Sequence, residues 1–488
     1  MTSSLRPIEP GAGIHIGSRR ELMVDDYLIA ALSRDAELRL HRPVPQEVAL
    51  ETDAPWEGNA SGYVTVFQDE DRYLMYYRGW HFTHDSGSLE FAHPEFVCVA
   101  ESSDGINWTK PDLGLVEFDG SRNNNIILDA RDDDSPAINF VPFKDPNPDA
   151  PASERYKALA NNRGYKGLFA LSSPDGLHWS KMRDEPVITK GYFDSQNLAF
   201  WDAERGEYRD YHRDFRHGRD IMTCVSQDFI NWTEPFFIDY NPTRIAELYT
   251  NQVTPYFRAP HLFVGFPARY VERPWSPAIE DLPEPEHRRM RADARERYGA
   301  ALTDGLFMSS RDGMEFNIWP EAFIRPGLRP EGNWTYGDNY QNWGLVHTRS
   351  QFDGAPDELS MYVSEGYWRG QSVCQRRYTL RMDGFVSLHA PPSGGEMITK
   401  PIRFTGSNLE LNFSASAAGS VRVEMLHGQV DLAIEGYGLD DCIQLLGDDL
   451  DRAVRWTHGA DVSPFSGELV RLRFSLQDAD IYSFRFVE

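Results

Sequence analysis

The sequence predicts an all-β chain, a five-bladed β-propeller followed by a small C-terminal antiparallel β-sandwich. Three signals recur in fixed order between residues 51 and 394. A short apolar strand comes first: GYVTVF from Gly62, INFVPF from Ile138, QNLAFW from Gln196, YTNQVT from Tyr249 and YQNWGL from Tyr340. A second strand follows each, opening at Arg72, Glu154, Glu207, Ala259 and Glu358. A polar turn then places an aromatic four residues after an aspartate: Asp104 and Trp108, Asp175 and Trp179, Asp228 and Trp232, Asp312 and Phe316. A fifth copy, RMDGF around Asp383, is degenerate. Short strands punctuated by Asp-Gly turns at this period read as four-stranded blades. One twisted blade cannot bury both faces, whereas a ring of five buries them and leaves only short edges. Asp-Gly turns also occur in β-sandwiches; the fixed order of three signals favours the propeller.

In chain order, residues 1–50 form a leader whose one strand, ELMVDDYLIA, is expected to close or clasp the ring. Residues 51–394 are the propeller. Its first repeat carries an insertion with His81, His84 and His93, which lack a tight ligand spacing and read as a rim loop rather than a metal site. The fourth repeat carries a charged stretch, EPEHRRMRADARERYGA, with little apolar stripe, which reads as a solvated helix. Residues 395–488 alternate with period two and form the sandwich.

Composition bounds the function. A formal charge of −26 over 488 residues argues against a nucleic-acid backbone as partner. No apolar leader and no run of 18 apolar residues appears, so the expectation is a cytoplasmic protein with no membrane partner. Cys98, Cys224, Cys374 and Cys442 show no paired spacing and read as free thiols. No cofactor is expected, although the architecture accommodates a structural Ca²⁺ on its axis; homo-oligomers remain open.

The residues that start each blade's first strand converge on a propeller's axis. Those starts hold Glu57 and Asn59, then Asn139, then Asp194, Gln196 and Asn197, then Glu247, Tyr249 and Asn251, then Asp338, Asn339 and Asn342. Asn and Asp favour such positions for turn reasons alone, but amides and carboxylates recurring in every blade suit the reading of sugar hydroxyls. Trp56 and Trp343 stand beside these starts, placed either to stack on a sugar or to pack the core. Arg213, Arg258 and His261 follow on neighbouring strands.

On these residues the chain resembles the five-bladed propeller glycoside hydrolases of the family 32/43-like clan, closest to the uncharacterised proteins that are similar to the family 32 N-terminal domain. The resemblance covers residues 51–390. It implies three cooperating carboxylates, for which the chain offers Glu57, Asp194 and Glu247. It departs from family 32 where WEGN, FDSQN and AELYTN replace the family's motifs. The implied activity is exo-acting hydrolysis of a small saccharide or glycoside, including furanosides. Glu247 would be the general acid, raised by burial and neighbouring negative charge, Glu57 the nucleophile or base, and Asp194 the stabiliser of the transition state. Two alternatives stand beside it. A glycoside phosphorylase would use Arg213, Arg258, His261, Arg376 and Arg377 to hold phosphate, and a non-catalytic carbohydrate-binding propeller would need no converging carboxylates.

Overall fold

In the computed structural model, the described residues are 13–488 apart from 86, 87, 165, 245 and 330. Residues 1–12 of the expected leader lie outside them. The chain is nearly all β and divides into two compact units: one holds residues 1–42, 256–259 and 380–488, the other 43–255 and 260–379.

The larger unit has a propeller-like arrangement of successive, mostly antiparallel sheets. The first consists of Gly62–Asp69, Arg72–Gly79, Phe96–Ser102 and Ile126–Asp129. The second consists of Ile138–Lys144, Tyr156–Asn161, Phe169–Ser173 and Ser180–Lys181, and the third of Leu198–Asp202, Glu207–Phe215, Arg219–Ser226 and Phe236–Phe237. A seven-stranded sheet spans Asp239–Asn241 to Glu315–Ile324. A fifth sheet joins Tyr340–Gln341, Val346–Thr348, Glu358–Glu365 and Cys374–Leu380 with Val44–Glu51, a strand from far earlier in the chain. That last pairing, Cys374 to Glu51 through Thr379 to Val44, closes the sheet.

The expected clasp therefore shifts. ELMVDDYLIA does not join these sheets: Glu21–Leu22 pairs with Phe484 and Ser483, and Ile29–Arg34 pairs with Gly395–Thr399. Both belong to the smaller unit, a ten-stranded sheet around the long strands Asn408–His427 and Val470–Val487. The degenerate turn around Asp383 is also part of this unit. Its carboxylate is fully buried and accepts from Tyr256 Oη at 2.8 Å, Ser483 Oγ at 2.6 Å and Asn412 Nδ2 at 3.1 Å, beside Arg20 at 3.4 Å.

The four regular turns share one chemistry. In each, a serine hydroxyl donates to the aspartate two residues on, and that aspartate accepts from the two backbone amides beyond it; Asp175 takes Leu177 N at 2.9 Å and His178 N at 2.8 Å. Trp108, Trp179 and Trp232 fold back so that Nε1 donates to the carbonyl of Gly105, Gly176 and Phe229. Partial burial pushes the Asp104, Asp175 and Asp228 carboxyls up, but the backbone and side-chain hydrogen bonds prevail and hold each down at about 2. A depressed carboxylate stabilises the fold above its unfolded value near 3.8, and that contribution disappears as pH falls from about 4 through about 2. Asp175→Asn, which keeps an acceptor but cannot titrate, is expected to lose less stability than wild type between those values in denaturant titrations; parallel curves would refute the linkage.

Candidate active site

Five of the larger unit's sheets, or the loops beside them, send residues to one pocket of about 210 Å³. Tyr63 comes from the first, Asn139 from the second, Asp194 and Gln196 from the third, Tyr249 from the fourth, and Tyr340 and Asn342 from the fifth. Backbone geometry aims two of them. Register shifts fall between Gly62 and Thr65 and between Ile138 and Val141, where Tyr63 (φ 49°) and Asn139 (φ 48°) take left-handed conformations. A bulge costs pairing and, at a tyrosine, backbone strain, and its effect is to re-aim a side chain.

The amides beneath the pocket tie the sheets together. Gln196 Nε2 donates to Val64 O at 3.0 Å, and Gln252 Nε2 donates to Gln196 Oε1 and Gln341 O, both at 2.8 Å. Asn139, Asn161 and Asn197 all donate to Phe193 O, at 3.1, 2.5 and 3.2 Å. This fixes the loop that carries Asp194.

Asp194 is the pocket's carboxylate. Its side chain is 42% exposed and pairs with the guanidinium of Arg213, which is 3% exposed. Tyr63 Oη donates to the Asp194 backbone carbonyl at 3.2 Å. The Arg213 guanidinium carbon also lies 4.6 Å from the Tyr249 ring centroid, so one cation serves both groups. The Tyr249 and Tyr336 hydroxyls are 2.7 Å apart. Burial raises the Tyr249 phenol, but the Arg213 charge, the Tyr336 hydrogen bond and Arg219 outweigh it and leave it below its ordinary value. Tyr336 and Tyr340, without that cation so close, are pushed well up by burial.

The three expected carboxylates do not line one pocket. Glu57 is 1% exposed, bound by Tyr77 Oη at 2.5 Å, Lys110 Nζ at 2.7 Å and Ala54 N at 3.0 Å. Glu247 faces a different groove with Arg216, His217 and Arg244, and accepts from Arg219 N at 3.0 Å and Nη1 at 2.8 Å. Its close charged neighbour is a cation, where a carboxylate was expected.

Of the other expected residues, Asn139, Gln196, Tyr249 and Asn342 line the pocket, and Arg213 stands behind Asp194. Asn59 instead clamps Phe82 and Gly370, Asn197 its own loop, and Asn251 Tyr211 O and Val253 N. Asp338 is buried in a turn, accepting from Thr335 Oγ1 and Tyr367 N, and burial raises it to about 7. Trp343 is core, donating to Val253 O, and Trp56 donates to Asn125. His261 is buried and outside the lining. Arg258 belongs to the smaller unit beside Asp383 and Asp451. Arg376 pairs with Glu365 and Arg377 with Glu47, so the expected phosphate-holding cluster does not assemble.

Sequence reasoning missed Tyr63, Arg78, Trp80, Arg297, Tyr298, Tyr336 and Tyr367. The tyrosines at GYVT, LYTN and DNYQN were the available signal. Arg297 and Tyr298 come from the charged insertion, which is not a solvated helix. It forms α1 (Pro277–Glu280), α2 (Pro285–Ala294) and α3 (Glu296–Ala300). On α2, Arg288 and Arg291 are 0% and 1% exposed and share a face at i, i+3. Arg288 donates to Pro283 O, Gly299 O and Trp334 O, while Arg291 donates to Tyr336 O and Tyr367 O and lies 4.8 Å from the Trp368 ring. Where α3 crosses α2, a Cβ on Gly299 would stand 2.2 Å from Arg288 O, so only glycine fits. A buried face built of arginines leaves no apolar stripe to detect.

No family model matches the chain, and no curated protein does. Among solved structures, it is similar to an N-acetylgalactosamine deacetylase from F. plautii in complex with blood group B trisaccharide. The two are 12% identical over 72% of this chain and 96% of that one, with a TM-score of 0.42. A thermostable family-43 glycoside hydrolase is 12% identical over 69% and 95%, with a TM-score of 0.41. A GH130 protein, from a family of mannoside phosphorylases that contains hydrolases of β-1,2 mannosidic linkages in Candida mannan, is 14% identical over 72% and 96%, at 0.36. At these values the architecture rests on the strand pairings above.

Glu57→Gln is expected to cost about 1–3 kcal/mol, because it weakens a buried charge-assisted pair. Chemical denaturation measures it; an unchanged stability would remove Glu57 from the framework.

Proposed function

We propose that the chain is an exo-acting glycosidase built on a five-bladed propeller of the family 32/43-like type, with its smaller unit a β-sandwich. The observation that carries the reading is the pocket itself. Five sheets meet around a small space walled by tyrosines and Trp80, floored by amides, with one carboxylate open to it. Aromatic walls suit sugar faces, and convergent amides suit hydroxyls. A volume of about 210 Å³ lies below the roughly 300 Å³ at which pockets for larger ligands begin, which favours one terminal sugar ring.

Within the pocket, Asp194 faces the anomeric carbon as it gains positive charge, steadied by Arg213. Tyr249, acidified and hydrogen-bonded to Tyr336, passes a proton to the departing oxygen and recovers it from water. The leaving group departs as an alcohol and the sugar as a hemiacetal, so bonds and protons balance. Glu57 and Glu247 take framework roles in this reading.

The test is turnover of a panel of aryl furanosides and pyranosides, with and without phosphate. Asp194→Asn is expected to lower kcat/KM by about 10³-fold and Tyr249→Phe by about 10²-fold, within the span of general acid–base and charge effects. Glu247→Gln is expected to change it by less than about tenfold. Collapse in Glu247→Gln matching that in Asp194→Asn would sink the assignment. Turnover only with phosphate would replace hydrolysis by phosphorolysis, and saccharide binding without any turnover would leave a carbohydrate-binding propeller.

A further inference from the structure

Charge in the pocket runs against that of the chain. The whole protein carries −26, yet the lining holds two guanidiniums, Arg78 and Arg297, and one carboxylate, Asp194. That carboxylate is already matched by Arg213. Arg297 pairs with no carboxylate among the described residues. Its Nη2 donates to Tyr298 Oη at 3.4 Å and it hydrogen-bonds Tyr270, but its Nη1 is buried without a hydrogen bond, and its guanidinium carbon lies 4.5 Å from the Tyr298 ring centroid and 5.6 Å from that of Tyr336. Arg78 donates through Nη2 to Ala60 O at 3.0 Å, sits 4.6 Å from the ring centroids of both Tyr63 and Trp80, and is electrostatically engaged with buried Glu95, so Arg297 is the cation that bears on a ligand here.

Aromatic stacking fixes the plane of each guanidinium while leaving its edge to meet a ligand. A planar fork held this way matches a carboxylate or another oxyanion, and in a partly desolvated site that pairing is stronger than one between neutral groups. An unmatched cation in such a site is costly unless an anion arrives. The insertion that brings Arg297 is itself clamped to the pocket wall, since Arg291 of α2 holds the carbonyls of Tyr336 and Tyr367.

We infer that the pocket selects a sugar bearing a carboxylate, a uronic-acid-type ring, whose anion is held by Arg297. This rests on the glycosidase reading for its sugar, but its readout is binding and does not depend on turnover. The same oxyanion chemistry would suit free phosphate, so phosphate is a separate arm.

The experiment is calorimetric titration of wild type, Arg297→Gln and Arg297→Lys at fixed ionic strength. The ligands are aryl glucuronides and galacturonides, their neutral glucoside and galactoside counterparts, and inorganic phosphate alone. In wild type, at least one uronide is expected to bind roughly tenfold or more tightly than its neutral counterpart, the scale of a charge-assisted pair. That preference is expected to vanish in Arg297→Gln and to persist in part in Arg297→Lys. Equal affinity for acidic and neutral partners in wild type would overturn the inference, a result that needs no variant to fold. A preference that survives in folded Arg297→Gln would overturn it too, as would phosphate binding through Arg297 with no uronide preference. A neutral glycoside hydrolysed through Asp194 without any uronide preference would leave the glycosidase reading standing and remove the anion site. Uronide binding without turnover would do the reverse.

Discussion

The larger unit depends on satisfying the polar groups where its sheets meet. Strands that converge leave backbone carbonyls facing a space too narrow for bulk water, and each unmet one is costly. Here side-chain amides do the work: Phe193 O takes three of them, and the Gln252–Gln196 pair bridges to Val64 O and Gln341 O. Because these amides come from different sheets, the loop carrying Asp194 is fixed by all of its neighbours.

The same arrangement divides the polar residues into two groups. Those with every polar atom committed to backbone, such as Asn59 and Asn251, hold loops in place. Those that reach the open space are Asp194, Tyr249 and the stacked arginines. Arg213 belongs to both groups, since it is buried, pairs with Asp194 and lies against Tyr249. The fourth sheet's insertion adds a third layer, in which Arg288 and Arg291 convert a charged helix into a fixed wall.

Much of the fold was legible. First strands at Gly62 and Ile138, second strands at Arg72, Glu207 and Glu358, and the serine–aspartate turns all follow from local patterns, and the structure places them there. The early strand that completes the fifth sheet was not, because ELMVDDYLIA and VPQEVALE are both plausible strands and only pairing with Cys374–Leu380 separates them. Among residues that line the pocket, Asp194, Gln196, Asn139, Asn342 and Tyr249 could be picked out from their place at strand starts. Glu57 and Glu247 occupied similar places in the sequence but found partners, Lys110 and Arg219, that spacing does not reveal.

Local sequence was enough to specify the repeat, because strand alternation, turn chemistry and the serine–aspartate–aromatic signal need only a few neighbouring residues. Tertiary structure alone decided which polar side chains share a space. A one-residue change of register turns a strand's side chains to its other face, and bulges at Tyr63 and Asn139 make such a change at the pocket's edge. Charge pairing between distant segments then settled which carboxylates were committed to the framework and which one remained open.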